Sequence, residues 1–152
     1  MIDLPELAIS VRQPWSWAIL HAGKDIENRD WPTKVRGRVC LHASKGMTRD
    51  EYEDFLDTAH HISLRRPFAP GLALPEFEGL LRGGIVGTVE IVDCVADSTS
   101  PWFFGRYGFV LRQPEPLLDF IPVKGALGFF RWRDNLNAAT AAKPIPAQGS
   151  LL

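Results

Sequence analysis

The chain has 152 residues and a mass of 17.0 kDa; 45% of the residues are hydrophobic, 23% are charged, and the formal net charge is −1. Such values suit one globular domain with a core of its own and exclude a disordered or low-complexity chain. No apolar run of about 18 residues occurs, and the first ten residues hold two acids and no base, so neither a membrane span nor a secretory leader is expected and a cytoplasmic protein with no membrane partner is the reading.

Leu7 to Val11 alternates weakly and reads as a short strand. Pro14 suits a first helical turn, and a helix is expected to follow it with Gly23 as its stop. Trp15, Ala18, Ile19 and Ala22 share one face of that helix. Lys24 to Lys34 reads as a loop, leading to a strand at Val35 to His42. Thr48-Arg49-Asp50-Glu51 is a capping box and predicts a helix from Arg49 to Ile62, with Tyr52, Phe55, Leu56 and Ala59 inward. Pro67, Pro70 and Pro75 break the next segment into an irregular connection, with a short helix near Glu76 to Leu81. Gly83-Gly84 opens the clearest strand, Ile85 to Val95, expected to be central with Val89 and Ile91 buried. Tyr107 to Arg112 and Leu127 to Trp132 read as two more strands, split by a proline-rich turn from Pro114 to Pro122. Residues 4–133 form the expected domain, and 134–152 read as a C-terminal tail.

Short strands with two helices near the front suggest an α+β domain built on a small curved barrel of about five to six strands. The absence of repeats and of a βαβ rhythm excludes a dinucleotide fold. Cys40 and Cys94 lie in β-branched stretches and read as buried thiols; no CxxC or other ligand spacing exists, so no metal and no cofactor is called for.

Charge is unevenly spread. Lys24 to Arg49 carries seven bases and three acids, whereas Asp50 to Glu78 carries seven acids and two bases. A basic strip beside an acidic one can steer an anionic ligand into a cleft, although the composition is not that of a DNA-coating surface. Three polar clusters stand out. Arg12-Gln13-Pro14-Trp15 lies at a strand-to-helix junction, where a guanidinium and an amide can bind an anion. In Gly23-Lys24-Asp25-Ile26-Glu27-Asn28-Arg29-Asp30-Trp31, extended backbone separates Lys24, Ile26 and Asn28 from Asp25, Glu27 and Arg29, whereas a turn would let Lys24 meet Glu27. Such a pair serves as a salt bridge, a general base or an oxyanion stabiliser. His42-Ala43-Ser44-Lys45-Gly46 ends the basic strand and places a serine beside a lysine.

The segments SVRQPW, GKDIENRDWP, RGRVCLHASK, GIVGTVEIVDC and PVKGALGF, in this order, resemble the ASCH domain family over Leu7 to Trp132. Gly23-Lys24-Asp25-Ile26-Glu27-Asn28-Arg29 is similar to the family's Gly-x-Lys-x-x-Glu-x-Arg signature, one residue shorter at the front. The resemblance implies a PUA-like barrel with flanking helices and a charged cleft lined by Arg12, Gln13, Lys24, Glu27, Arg29, His42, Ser44, Lys45 and Lys124. Members of the family are associated with RNA binding. Some are hydrolases: one branch removes acyl groups from N4-acylated cytosine nucleosides with a threonine, a lysine and a glutamate, and another cleaves RNA. Here Glu27 stands where the acyl-removing branch has its threonine, leaving Thr33 or Ser44 as hydroxyls. Two readings follow. In the first, the cleft recognises RNA or a nucleotide or nucleoside, with Trp15, Trp31 or Trp102 stacking on a base and Arg12, Arg29, Lys45 and Lys124 holding phosphate. In the alternative, a hydrolase, Lys24 is the base, Glu27 or Glu90 orients it, and Ser44 or a backbone N–H holds the oxyanion.

Overall fold

The computed structural model describes residues 3–136. Six strands make one sheet in the order β2-β5-β4-β3-β1-β6, where β1 is Leu7–Val11, β2 Ile26–Arg29, β3 Gly37–Ala43, β4 Gly84–Val95, β5 Tyr107–Pro122 and β6 Phe129–Arg131. Only β1 and β3 run parallel; the other pairs are antiparallel. The sheet curls into a half-barrel in an α+β fold, consistent with the PUA-like architecture that the resemblance implies. The expected tail falls largely outside the described residues.

The curl is produced by irregular pairing. β4 and β5 change register at three places, and β3 and β4 change once, between Leu41 and His42; each extra residue bends the strand and increases its twist. Inside the curl, Ile9, Val11, Val39, Leu41, Val89, Ile91, Phe109 and Leu111 pack against Ile19 of helix α1 (Trp15–His21). Val89 and Ile91 are buried on a long central strand, as expected from their β-branched run. A second cluster joins Ala18 and Ala22 to Phe55, Ala59 and Ile62 of helix α2 (Arg49–Arg65), together with Ile26 and Trp102. α1 is therefore wedged between the half-barrel and α2.

α2 starts with the capping box read from the sequence: the Thr48 hydroxyl accepts from the Glu51 N–H, and the Glu51 carboxylate accepts from the Thr48 N–H. It runs one turn beyond the expected end. Of its inward residues, Phe55 and Ala59 are buried, and Tyr52 and Leu56 are half-buried. The short helix near Glu76 is a single 3-10 turn, Phe77–Gly79. Cys40 is fully buried and its thiol is pushed up to about 11 by burial; Cys94 is only half-buried, which corrects the expectation of two buried thiols.

Two further expectations are corrected. The segment after Gly23 is not a loop throughout, because Ile26–Arg29 pairs antiparallel with Tyr107–Val110 as an edge strand. The proline-rich stretch is not a turn: Pro114 to Pro122 continues β5, with Pro116 opposite Gly87 and Pro122 opposite Gly84. Prolines are tolerated there because β2 covers β5 only as far as Val110, so beyond it one side of β5 has no ladder to complete.

Gly87 permits a close approach between β4, β5 and α1. A Cβ there would lie 2.6 Å from Leu20 Cδ2 and 2.7 Å from the Glu115 carbonyl oxygen. Gly87→Ala should push β4 from β5 and destabilise the domain by about 1–3 kcal/mol. Urea unfolding measures this, and an unchanged midpoint would contradict the packing described.

Candidate functional site

Where the half-barrel stays open, a cleft of about 1470 Å³ forms between β1, β2 and the segment from Pro122 to Gly128. Six basic side chains line it (Arg12, Lys24, Arg29, Lys45, Arg82, Lys124) against two acidic ones, Glu27 and Asp30. The excess is cationic although the whole chain is not.

The floor is built by β2. Its alternation turns Ile26 toward α2, while Glu27 faces the half-barrel interior beside Ile9, Phe109 and Leu111. Gly23, at φ +74, reverses the chain after α1 and brings Lys24 back under this strand. Lys24 is 4% exposed; its ammonium donates to the Ile26 carbonyl and lies 3.5 Å from Glu27 Oε1. Burial lowers the Lys24 pKa from its ordinary value, and the Glu27 carboxylate opposes that shift without cancelling it. The second carboxylate oxygen of Glu27 accepts from Arg29 Nε at 3.1 Å and lies 3.0 Å from Nη2. Arg29 Nη2 continues to the Ser10 carbonyl at 2.6 Å, and its guanidinium lies 5.8 Å from the Trp31 ring centroid. The lysine thus meets Glu27 as in a turn, while Ile26 and Glu27 still alternate as in a strand.

The wall is built by the parallel pair β1–β3, whose register sets Ser10 beside His42. His42 is buried, with Nε2 2.7 Å from the Val123 carbonyl and Nδ1 3.2 Å from Ser10 Oγ. A carbonyl only accepts, so Nε2 carries the proton, and in the neutral ring Nδ1 accepts from the serine hydroxyl. Burial also lowers the His42 pKa, which favours that neutral ring. Gly125 closes over the pair: a Cβ there would lie 2.6 Å from His42 Cε1 and 2.8 Å from Ser10 Oγ.

At the rim, Arg12 is held by Glu51 of the α2 capping box, with Nε and Nη2 on the two carboxylate oxygens at 2.9 and 2.6 Å. This contact holds Glu51 at a pKa of about 2 and raises that of Arg12. Arg82 donates to the Lys45 carbonyl at 2.8 Å and packs over Phe77. Among the described residues, neither the Lys45 nor the Lys124 ammonium has a carboxylate partner.

Of the site residues read from the sequence, all line this cleft except Gln13 and the two alternates, Thr33 and Glu90. Gln13 is 3% exposed and turned into the body, where its amide donates to the Leu81 carbonyl and accepts from the Trp17 N–H, both at 2.9 Å. The three tryptophans differ. Trp102 is buried, and its indole N–H has no partner among the described residues. Trp15 packs edge-on against Phe55 at 5.2 Å. Trp31 is 36% exposed, supported edge-on by Phe109 and Phe129. Ser44 lines the cleft but makes no hydrogen bond to Lys24 or Lys45 among the described residues. Thr33 accepts from the Val35 N–H outside the cleft, and Glu90 lies on β4 opposite Arg38 and Arg112. Ser10, Arg82 and Gly125 were not singled out from the sequence; their roles come from contacts between distant segments that no local pattern announces. No group of three His, Cys, Asp or Glu among the described residues is placed to hold a metal ion, and no described helix is long and apolar enough to cross a membrane.

The half-barrel and its cationic cleft define an ASCH domain: the family model for that domain matches residues 9–108, and the chain belongs to this family. Among individual proteins it is similar to activating signal cointegrator 1 of Homo sapiens, 23% identical over 131 residues that cover 77% of this chain and 20% of that protein. The protein of the same name from Mus musculus is 21% identical over 126 residues, with the same coverage. The chain thus spans about one fifth of the length of these relatives.

The lowered Lys24 pKa has a consequence for stability. Between that value and the ordinary lysine pKa of about 10.4, the unfolded chain holds a proton that the folded chain has released. Stability contributed at this position should therefore rise with pH across that window. Comparing urea unfolding of the wild type with Lys24→Met from neutral pH to about pH 10 should show the wild type gaining on the variant. A difference that stays constant would show Lys24 to be ionised as in water.

Proposed function

We propose that this domain recognises single-stranded RNA in the cationic cleft. The observation that carries this reading is the pair of lysines, Lys45 and Lys124, that face one cleft without a carboxylate partner among the described residues, beside the half-exposed ring of Trp31. The other cations lining the cleft are already engaged with protein groups. Arg29 and Lys24 share Glu27, Arg12 is on Glu51, and Arg82 is on a backbone carbonyl. In this reading Lys45 and Lys124 take phosphates, and Trp31 offers a π-face to a base, a contact worth about 1–3 kcal/mol. Trp102 is too buried to stack, and Trp15 contributes an edge-packed wall.

The association of the family with RNA supports this reading, as does the fold. A nucleotide alone would occupy the same groups. Hydrolysis by Lys24 has less support. Its ammonium is buried on the Ile26 carbonyl and Glu27, and no hydroxyl nucleophile is hydrogen-bonded to it among the described residues.

Two measurements test the reading. Lys45→Ala and Lys124→Ala should each weaken binding to single-stranded RNA and reduce the slope of log affinity against log salt by about 0.7. Unchanged slopes in both variants would remove the phosphate contacts and the proposal with them. Glu51→Gln keeps a capping-box residue but drops the charge that holds Arg12. RNA should bind it more tightly, with a steeper salt dependence, if Arg12 is then released to a phosphate.

A further inference from the structure

Among the described residues, Ser10 is the one hydroxyl in the cleft whose hydrogen is already committed. The Val123 carbonyl requires the proton on His42 Nε2, so Nδ1 of the neutral ring must accept, and the donor 3.2 Å away is Ser10 O–H. A hydroxyl that donates inward keeps its oxygen lone pairs for something else. No described side chain or N–H donates to Ser10 Oγ, and Ser10 is half-buried in the cleft wall. The arrangement is held from three sides. The register of β1 on β3 aligns the pair, Arg29 pins the Ser10 carbonyl, and Gly125 lies so close that a methyl group there would strike both side chains.

We propose that Ser10, oriented by His42, is a fixed hydrogen-bond acceptor that selects ligands presenting an N–H or O–H donor a short distance from their phosphate. This rests on the reading of the cleft as an RNA site and adds a selection rule to it. In nucleic acid the matching donors are of two kinds, an exocyclic base amine and the ribose 2′-hydroxyl. Both satisfy the same oxygen, and a ligand lacking the donor would bury Ser10 Oγ without a partner, which costs affinity as well as forfeiting a bond. A hydroxyl free to rotate would accept or donate as needed and discriminate little. The commitment to His42 removes that freedom.

The test uses the full chain and three short single-stranded oligomers of equal length: oligo(rA), oligo(dA), and oligo(rA) with N6,N6-dimethylated bases. Binding is measured near neutral pH for the wild type, Ser10→Ala and Lys124→Ala. Oligo(rA) should bind the wild type about fivefold more tightly than one of the other two, in keeping with one net hydrogen bond. The weaker oligomer names the source: the deoxy strand for the 2′-hydroxyl, the dimethylated strand for the amine. Ser10→Ala should erase that ratio, whereas Lys124→Ala should weaken all three oligomers alike and preserve it. Ser10→Cys, of similar size with a weak sulfur acceptor, should behave as Ser10→Ala and serves if the alanine variant melts early. Equal binding of all three oligomers to the wild type, still weakened by Lys124→Ala, would overturn the selection rule and leave the RNA reading intact. A ratio that persists in both Ser10 variants would also overturn the rule. Binding of none of the oligomers would overturn both.

Discussion

A half-barrel has two edges, and the carbonyl of Ser10 lies on one of them. β6 pairs with β1 only from Leu7 to Ile9, so the outer side of Ser10 is left without a ladder. β2, at the other edge of the sheet, reaches it through a side chain: Arg29 donates to the Ser10 carbonyl and is steadied by Glu27. This guanidinium bridge joins strands that never pair, and it sets the width of the cleft. Behind it, one carboxylate serves two cations, Arg29 from one side and the buried Lys24 from the other. Such a cluster is held by mutual satisfaction rather than by net attraction, because removing its charges from water costs most of what their pairing returns. Losing Glu27 would leave two cations facing each other, so the three residues act as a unit.

This division of labour separates the charges that build the cleft from those free to meet a ligand. Glu27 and Glu51 engage Lys24, Arg29 and Arg12, and each belongs to a structural device as well, an edge strand in one case and a helix cap in the other. Lys45 and Lys124, on long flexible stems, are held by no carboxylate among the described residues. The polar wall formed by Ser10 and His42 differs from both groups, since its direction is fixed by the one tautomer of the neutral imidazole that satisfies the Val123 carbonyl.

Features set by neighbouring residues were legible in the sequence. The capping box at Thr48 and Glu51 announced α2, the long β-branched run announced β4, and the ordered motifs announced the family. Those set by distant partners were not. Prolines 114, 116 and 122 read as a turn because local rules cannot show that β5 has lost a neighbour at that point. Ile26 to Arg29 is too short to declare itself and becomes a strand through pairing with Tyr107 to Val110. Gln13 looked like a ligand contact for its amide, yet the position of Leu81, 68 residues away, turns it inward. Ser10 and Gly125 matter through a histidine that meets them only after the sheet has formed.

The parallel pairing of β1 with β3 and the pairing of β1 with β6 have a kinetic side. Leu7 meets Arg131, so β1 is completed by residues at opposite ends of the described chain. Contacts of such separation are the slowest to close. During synthesis, α1, β2, β3 and α2 emerge with one edge of β1 still unpaired, before the Pro122 to Gly128 wall of the cleft has been made. The cleft of a nascent chain therefore stays open on that side. The cleft is completed in one step, when the segment from Pro122 to Gly128 joins strands made much earlier.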